Sequence, residues 1–316
     1  MTQHSQRHHH HAQQAAHDDH PDDHPDDHPD HHPDGHPDGH HDGHHDETGL
    51  AQLLDLDAEV LGSYLGEATA WVAQHARGKP RTVVDVGAGT GAGTLALARG
   101  FGTAGVVAID RSAVMLEHLK AAAIEEGLEG RLRVVPADVD AGWPDVGAVD
   151  VVWAASSLHE LADPDRVLRD VYAALEPGGL LVVVEMDALP CFLPHDVGLG
   201  RPGLEPRCHE ALAQAGWNAH PDWRPHLERA GFEVVEQRGF ASHVATGQAS
   251  TGHYARAYLG HIRSALDGRL ATDDLETLDR LLADDNPHAL LSRSDLTVRG
   301  SRTAWLARRP LHPSRT

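Results

Sequence analysis

Several residue types are scarce in this chain of 316 residues, and each scarcity narrows what the chain can do. There are two lysines, Lys79 and Lys120, so lysine-dependent chemistry has two candidates. The two cysteines, Cys191 and Cys208, have no metal-binding spacing and imply no disulfide framework, which favours a reducing, cytoplasmic setting. No apolar run reaches membrane-spanning length, and the N-terminus lacks the basic and apolar regions of a secretory signal. We therefore expect no membrane partner.

Basic residues are also in deficit, since the formal net charge is −22. Nucleic-acid binding requires a positively charged surface that attracts the phosphate backbone, so the negative net charge argues against a nucleic-acid partner. Hydrophobic residues make up 40% of the chain, which is enough for a core, but Met1–Asp46 contains almost no large apolar side chain. The folded part is therefore expected to begin near Glu47.

The segment 1–46 is rich in histidine and aspartate, with 16 of the 28 histidines and 11 aspartates. A His-Pro-Asp repeat begins at His20, and its prolines and glycines disfavour a helix, so we predict a disordered tail. Imidazole and carboxylate groups suit zinc, nickel or copper. The histidines within residues 8–45 are therefore either a weak metal site or a solubilising tail that binds metal incidentally. No metal site is predicted in the folded part.

The rest of the chain alternates between apolar runs and helical periodicity. Residues 47–79 are predicted as a helical addition of one or two helices, because Gly62 and Gly66 interrupt the pattern of Leu50–Arg77. Residues 80–310 are predicted as an α/β domain with a doubly wound, mostly parallel sheet and an insertion at 186–217. The predicted strands are Thr82–Val86, Gly105–Asp110, Leu132–Pro136, Asp150–Ala155, Leu180–Glu185, Phe232–Gln237 and Arg302–Arg308. The predicted helices are Ala92–Arg99, Ala113–Glu126, Pro164–Leu175, Cys208–Ala215, Asp222–Ala230, Gly252–Leu266 and Asp273–Ala283.

A glycine-rich stretch follows the first predicted strand. Asp85 stands two residues before Gly87, and Gly89 and Gly91 follow at even spacing before a predicted helix. Glycines let a bound molecule approach the backbone, and the helix N-terminus presents unpaired N–H groups. Such turns bind nucleotides and nucleoside-like cofactors.

With its acid and its even glycine spacing, this stretch resembles the first motif of the class I S-adenosylmethionine-dependent methyltransferases. The resemblance extends to Asp110 after the second strand, Asp138 and Val139 after the third, and a His-containing stretch after the fourth. It implies a seven-stranded Rossmann-like sheet with its last strand antiparallel, and S-adenosylmethionine as the cofactor. In the family, the first motif accommodates the cofactor's methionine part, and the acid at the position of Asp110 accepts hydrogen bonds from both ribose hydroxyls. The implied cofactor-binding residues are Asp85, Gly87, Gly89, Gly91, Asp110, Arg111, Asp138, Val139 and Ser156.

The implied reaction is in-line methyl transfer to a small-molecule acceptor, in which the protein mainly positions the reactants. His159 follows the fourth strand at the carboxyl edge of the sheet, so it is either a general base or a residue that shapes the pocket. Tyr64 and Glu185 are candidate substrate contacts.

Two other functions remain open. A NAD-type oxidoreductase would use Gly87, Gly89 and Ala92 as its fingerprint, although neither lysine forms the Tyr-x-x-x-Lys pair of short-chain dehydrogenases. A non-catalytic protein that senses cofactor or binds metal is the third alternative.

Overall fold

The computed structural model describes residues 41–217, 222–244 and 249–311. Two helices open the described chain, α1 (His41–Leu61) and α2 (Ser63–His75), and they are separated at Gly62. The interruption predicted at this glycine therefore yields two helices. Helix α1 begins inside the segment predicted as a disordered tail, and residues 1–40 of that segment lie outside the described residues.

A seven-stranded sheet forms the centre of the fold, in the order β3-β2-β1-β4-β5-β7-β6. Strands β1 to β5 pair in parallel, and β7 runs antiparallel to both β5 and β6, so the predicted mostly parallel sheet with an antiparallel last strand is confirmed. The strands are β1 (Thr82–Val86), β2 (Gly105–Asp110), β3 (Leu132–Pro136), β4 (Val149–Ala155), β5 (Leu175–Met186), β6 (Glu233–Val244) and β7 (Val298–Arg308).

Crossover helices connect the parallel strands and cover the sheet. These are α3 (Ala92–Gly100), α4 (Ala113–Glu125) and α5 (Pro164–Ala174). The first turn of α5 is set by Asp163, whose carboxylate accepts a hydrogen bond from the Arg166 N–H at 2.9 Å. Apolar strands buried on both faces explain why the runs predicted as strands contain valine at consecutive positions.

Strand β5 begins five residues earlier than predicted. Leu175 pairs with Val149, and the ladder then skips to Leu180 opposite Val151, so residues 176–179 form an irregularity inside the strand. Its geometry is fixed by the residue that follows β7, because Gly178 N–H donates to the Arg309 carbonyl at 2.8 Å. The Pro-Gly-Gly sequence therefore bends a strand that has already started.

In its described residues, the second half of the chain adds four α-helices: α6 (Leu204–Gln214), α7 (Arg224–Arg229), α8 (Ala249–Arg263) and α9 (Thr272–Leu282). Helix α6 begins four residues before the predicted Cys208, and β7 begins four residues before the predicted Arg302. Residues 245–297 join β6 to β7, so α8 and α9 form a second insertion that the prediction did not separate from the domain. Side chains of α1, the 186–217 insertion and α8 share one apolar cluster, including Leu61, Phe192 and Leu259.

No helix among the described residues is long and apolar enough to cross a membrane.

Candidate active site

The glycine turn joins β1 to α3 at the carboxyl edge of the sheet. Gly87 has a φ of 69°, in the left-handed region where a side chain costs energy. A Cβ built on Gly87 would stand 2.5 Å from Cβ of Ser157, in the loop after β4. The turn and that loop thus approach closely enough to require glycine. Helix α1 covers the turn from another side, since Leu54 Cδ1 lies 3.3 Å from the position of a Cβ on Gly89.

Asp85 is buried at the end of β1, with 2% of its surface exposed. Burial raises the pKa of Asp85 to about 7, the negative charge of Asp110 adds to the rise, and a hydrogen bond from Thr94 Oγ1 at 2.6 Å opposes it. The neutral form of this carboxyl group is therefore favoured much more than in an ordinary aspartate. A cation placed beside it would favour its ionised form.

Asp110 ends β2 beside the glycine turn. Its Oδ2 accepts a hydrogen bond from Gly89 N–H at 2.8 Å, and its Oδ1 accepts one from Ser112 N–H at 2.9 Å. Each oxygen of a carboxylate can accept two hydrogen bonds, so each keeps one acceptor position. The half-buried side chain can therefore receive a pair of neighbouring hydroxyl groups, as the predicted ribose contact requires.

The residues predicted around an adenine ring follow β2 and β3. The ends of these strands are joined by a hydrogen bond from Ala137 N–H to the Asp110 carbonyl at 3.0 Å. Val139 is buried, whereas Asp138 and Arg111 are exposed. Asp138 Oδ1 accepts from Asp140 N–H at 2.9 Å, so this acid also stabilises its own turn.

The loop after β4 starts with a strained residue. Ser156 has a φ of 52°, and among the described residues it is the one non-glycine position with a positive φ. Its N–H donates to the Val184 carbonyl of β5 at 2.8 Å, which holds the unusual conformation in place. The next residue, Ser157, is buried, and its Oγ has no hydrogen-bond partner in the structure. The carboxyl edge of the sheet therefore contains a polar atom whose hydrogen bonding is unsatisfied by the protein.

His159 lies between two carboxylates. Its Nδ1 is 2.7 Å from Glu185 Oε2, and its Nε2 is 3.2 Å from Glu160 Oε1. Burial lowers the pKa of His159, but the hydrogen bonds and charges of Glu160 and Glu185 outweigh burial and raise it to about 10. The ring is therefore protonated at neutral pH and both nitrogens are engaged. With both ring nitrogens paired to carboxylates, this arrangement favours the pocket-shaping role of His159 over the general-base role.

Glu185, the candidate substrate contact at the end of β5, lies against the loop after β4. Its Oε1 accepts hydrogen bonds from the N–H groups of Ser157 at 3.1 Å and Leu158 at 3.0 Å, while Oε2 holds His159. Only 2% of the Glu185 surface is exposed, so the contacts of its carboxylate are with other groups of the protein. Its role is to position this loop and the charged ring.

Tyr64 of α2, the other predicted substrate contact, is buried beneath a buried arginine. The guanidinium carbon of Arg302 lies 4.9 Å from the Tyr64 ring centroid, and Arg302 forms an ion pair with Asp57 of α1. Sequence reasoning missed both Arg302 and Asp57. One sequence signal could have indicated Arg302, namely its position as a charged residue directly before the apolar run Thr303–Ala307.

A groove of about 830 Å³ lies between the two N-terminal helices and α3. Small residues line much of it, and it reaches the glycine turn at Thr90, but it includes none of the predicted site residues. Within the described ranges, no three histidine, cysteine, aspartate or glutamate side chains are grouped to hold a metal ion.

Comparison with known proteins identifies the segment that carries this site. Residues 83–179, from β1 to the irregularity in β5, match a family model described as a methyltransferase domain. This part of the chain is thus similar to a methyltransferase domain. S-adenosylmethionine is the cofactor of that family, in agreement with the resemblance inferred from Asp85 and Asp110.

The methyltransferase domain is similar to several curated proteins. It is 37% identical over 112 residues to the demethylmenaquinone methyltransferase of Thermus thermophilus, covering 35% of this chain and 50% of that protein. It is 36% identical over 101 residues to the trans-aconitate 2-methyltransferase of Variovorax paradoxus, covering 32% and 37%. Among solved structures, the YcgJ protein of Bacillus subtilis is 14% identical, with a TM-score of 0.46 over 77% of this chain and 99% of that one. The chain spans between about a third and a half of the length of the curated relatives it matches.

Proposed function

We propose that this protein is an S-adenosylmethionine-dependent methyltransferase that acts on a small-molecule acceptor. The observation that carries the proposal is Asp110, whose carboxylate adjoins the glycine turn and keeps one acceptor position on each oxygen. The matched methyltransferase domain supports it. The two relatives described above act, by their names, on a menaquinone precursor and on trans-aconitate, so relatedness alone does not select an acceptor.

The residues at the carboxyl edge fit this cofactor. In the proposal, Asp85 and the glycine turn receive the methionine part, and Asp110 receives the ribose hydroxyls. The buried, unpartnered Ser157 Oγ is a further polar group at this edge. When bound, the cofactor supplies a methyl group already activated on a sulfonium. The remaining proposed contacts, around the adenine ring and after β4, are Arg111, Asp138, Val139 and Ser156.

The chain's own contribution to the reaction is positioning and exclusion of water. Helix α1 packs against the glycine turn through Leu54, which keeps water from that side of Gly89. The protonated His159 and its partner Glu185 hold the loop after β4 in one arrangement. Because His159 is not free to take a proton, we propose that proton removal, where the acceptor requires it, is done elsewhere.

Asp110→Ala tests the proposed cofactor site. We expect the affinity for S-adenosylhomocysteine, measured by calorimetry, to fall by roughly 100-fold, since two hydrogen bonds to a charged group are lost. Asp145→Ala is the matched control: Asp145 is exposed, and its Oδ1 accepts from Gly147 N–H two residues ahead, as Asp110 does from Ser112. Equal affinity in the two variants would remove Asp110 from the site.

The same calorimetry separates the alternatives. An oxidoreductase would bind NAD in preference to S-adenosylhomocysteine. A non-catalytic sensor would bind S-adenosylhomocysteine but transfer no labelled methyl group when incubated with cell extract and labelled cofactor. Mass spectrometry of that extract would also name the acceptor. A cytoplasmic setting, which the two free cysteines favour, belongs to the same proposal.

We further propose that the histidine-rich tail binds divalent transition metal ions, because 16 histidines and 11 aspartates fall within 46 residues. Titration of the full chain with nickel or zinc at pH 7.5 should give dissociation constants on the order of micromolar, weakened at least about tenfold at pH 5.5, where imidazole is protonated. A variant lacking residues 1–40 is the control. Identical titrations of the two chains would refute the proposal.

A further inference from the structure

Arg302 is an unusual residue in the sheet because it is charged and buried, with 4% of its surface exposed. It lies near the start of β7, paired with Met186 of β5 on one side and Phe240 of β6 on the other. Met186 directly follows Glu185, so Arg302 stands at the same carboxyl edge as the loop after β4. This places a fixed cation beside the candidate active site.

The hydrogen bonding of Arg302 is incomplete. Its Nη2 donates to both carboxylate oxygens of Asp57, at 2.9 and 2.6 Å. Its Nε is buried and has no hydrogen-bond partner in the structure. Buried polar groups are almost always paired, so an unpaired N–H on a nine-tenths buried side chain points to an oxygen supplied from outside the chain.

The surroundings of Arg302 are aromatic. The Tyr64 ring lies under the guanidinium and 5.8 Å from the Phe240 ring, and Tyr254 donates to Asp57 Oδ1 at 2.5 Å. The Tyr258 hydroxyl is also buried without a partner. Aromatic residues form 4% of the chain, yet three of the four tyrosines gather here. Such walls suit a flat ring.

The charges around this cluster disfavour an anionic ligand. Asp57 neutralises the charge of Arg302. The charges of Glu185 and Asp85 also act on the Tyr64 hydroxyl, so these two acids lie in the same poorly solvated region. Burial is the main reason that the pKa of Tyr64 is raised, and these acids add to the rise. Glu185 is balanced by the charged His159 ring at 2.7 Å, as Asp57 is by Arg302, so the cluster holds no unbalanced cation to attract an anionic ligand.

We propose that Arg302 determines the specificity for the methyl acceptor: its Nε–H donates to a carbonyl or hydroxyl oxygen of an uncharged, planar aromatic acceptor, and the Tyr258 hydroxyl makes a second polar contact. Asp57 and Tyr64 orient the guanidinium for this contact. The inference rests on the methyl-transfer function proposed above and names the substrate class of that site.

The test uses the full chain saturated with S-adenosylhomocysteine. The probe is 4-hydroxyacetophenone, an uncharged aromatic ketone, and 4-hydroxybenzoate is its anionic counterpart on the same ring. Arg302→Lys keeps the charge beside Asp57 but removes the Nε–H, so the ketone's affinity should fall at least about tenfold while that for S-adenosylhomocysteine stays within about threefold. Arg299→Lys is the matched control. Arg299 lies three residues earlier on β7 and donates to the Leu193 carbonyl at 3.1 Å, so this substitution should leave both affinities unchanged.

Several results would overturn the assignment: equal affinity of the wild type and Arg302→Lys for the ketone, a carboxylate that binds as tightly as the ketone, or no binding of the ketone to the wild type. If Arg302→Lys does not fold, Tyr258→Phe decides the question, because this hydroxyl has no partner in the protein to lose. That variant should bind the ketone about threefold more weakly, and unchanged affinity would count against the proposal. Failure of the wild type to bind S-adenosylhomocysteine would instead contradict the proposed methyl-transfer function.

Discussion

Replacing Gly87 with alanine is expected to abolish binding of S-adenosylhomocysteine and to lower the free energy of unfolding by roughly 2–5 kcal/mol. Two costs combine. The backbone at a φ of 69° disfavours any side chain, and the new Cβ would stand 2.5 Å from Cβ of Ser157. Either the glycine turn or the loop after β4 must move, and both belong to the proposed cofactor site. Chemical denaturation and calorimetry measure the two effects.

Gly127→Ala separates backbone strain from the clash. Gly127 has a φ of 68°, nearly that of Gly87, but a Cβ there would meet nothing within 4 Å. We expect this control to lose only the strain contribution, about 1–2 kcal/mol, and to bind S-adenosylhomocysteine normally. If the two variants were equally stable and bound equally well, the contact between the turn and the loop would have no functional importance.

The charged His159 should make the protein less stable as the solution becomes alkaline. The pKa of the ring is raised from 6.5 to about 10 in the folded protein, so its contribution to stability is fully present below pH 6.5 and is lost as pH rises towards 10. Between pH 7 and pH 9, the free energy of unfolding should fall by roughly 2–3 kcal/mol. Urea denaturation at a series of pH values measures this slope.

Other titrating groups lie mainly outside this window. Burial raises the pKa of both Asp85 and Glu205 to about 7, so their contributions fall with rising pH chiefly between about pH 4 and pH 7. Glu185→Gln and His159→Asn should each flatten the slope above pH 7, since each removes one partner of the pair. His118→Asn, at an exposed position, should leave it intact. A steep slope that persisted in His159→Asn would show that another group causes it.

Local sequence patterns predicted the parallel strands of the sheet because each of them is an apolar run with a clear end. The predicted bounds of β1, β2 and β3 are those observed, since apolar runs there end at an acid, a glycine or a proline. The bounds of a strand were predicted less well where they depend on pairing with a distant strand. Leu175 belongs to β5 only because Val149 lies opposite it, and no property of residues 175–179 alone reveals that.

The candidate site shows the same limit. Asp85, Asp110 and the glycines could be predicted because their chemistry depends on spacing within one strand-turn-helix unit. His159 and Glu185 were both predicted as site residues, but their contact joins residues 26 positions apart, and this contact rather than the sequence favours one of the two roles left open for the histidine. The pairing of Asp57 with Arg302 left no trace in spacing or periodicity, because it depends on where α1 packs.

The pairing of Asp57 with Arg302 spans 245 positions of the chain. During synthesis the glycine turn and its neighbouring strands therefore leave the ribosome long before Arg302, which binds Asp57 of α1. Until the last strand forms, Asp57 of the nascent chain lacks its arginine partner and can bond only to the Tyr254 hydroxyl, so α1, which places Leu54 over the turn, is incompletely held. The ion pair between Asp57 and Arg302 can therefore form only after the last strand has left the ribosome.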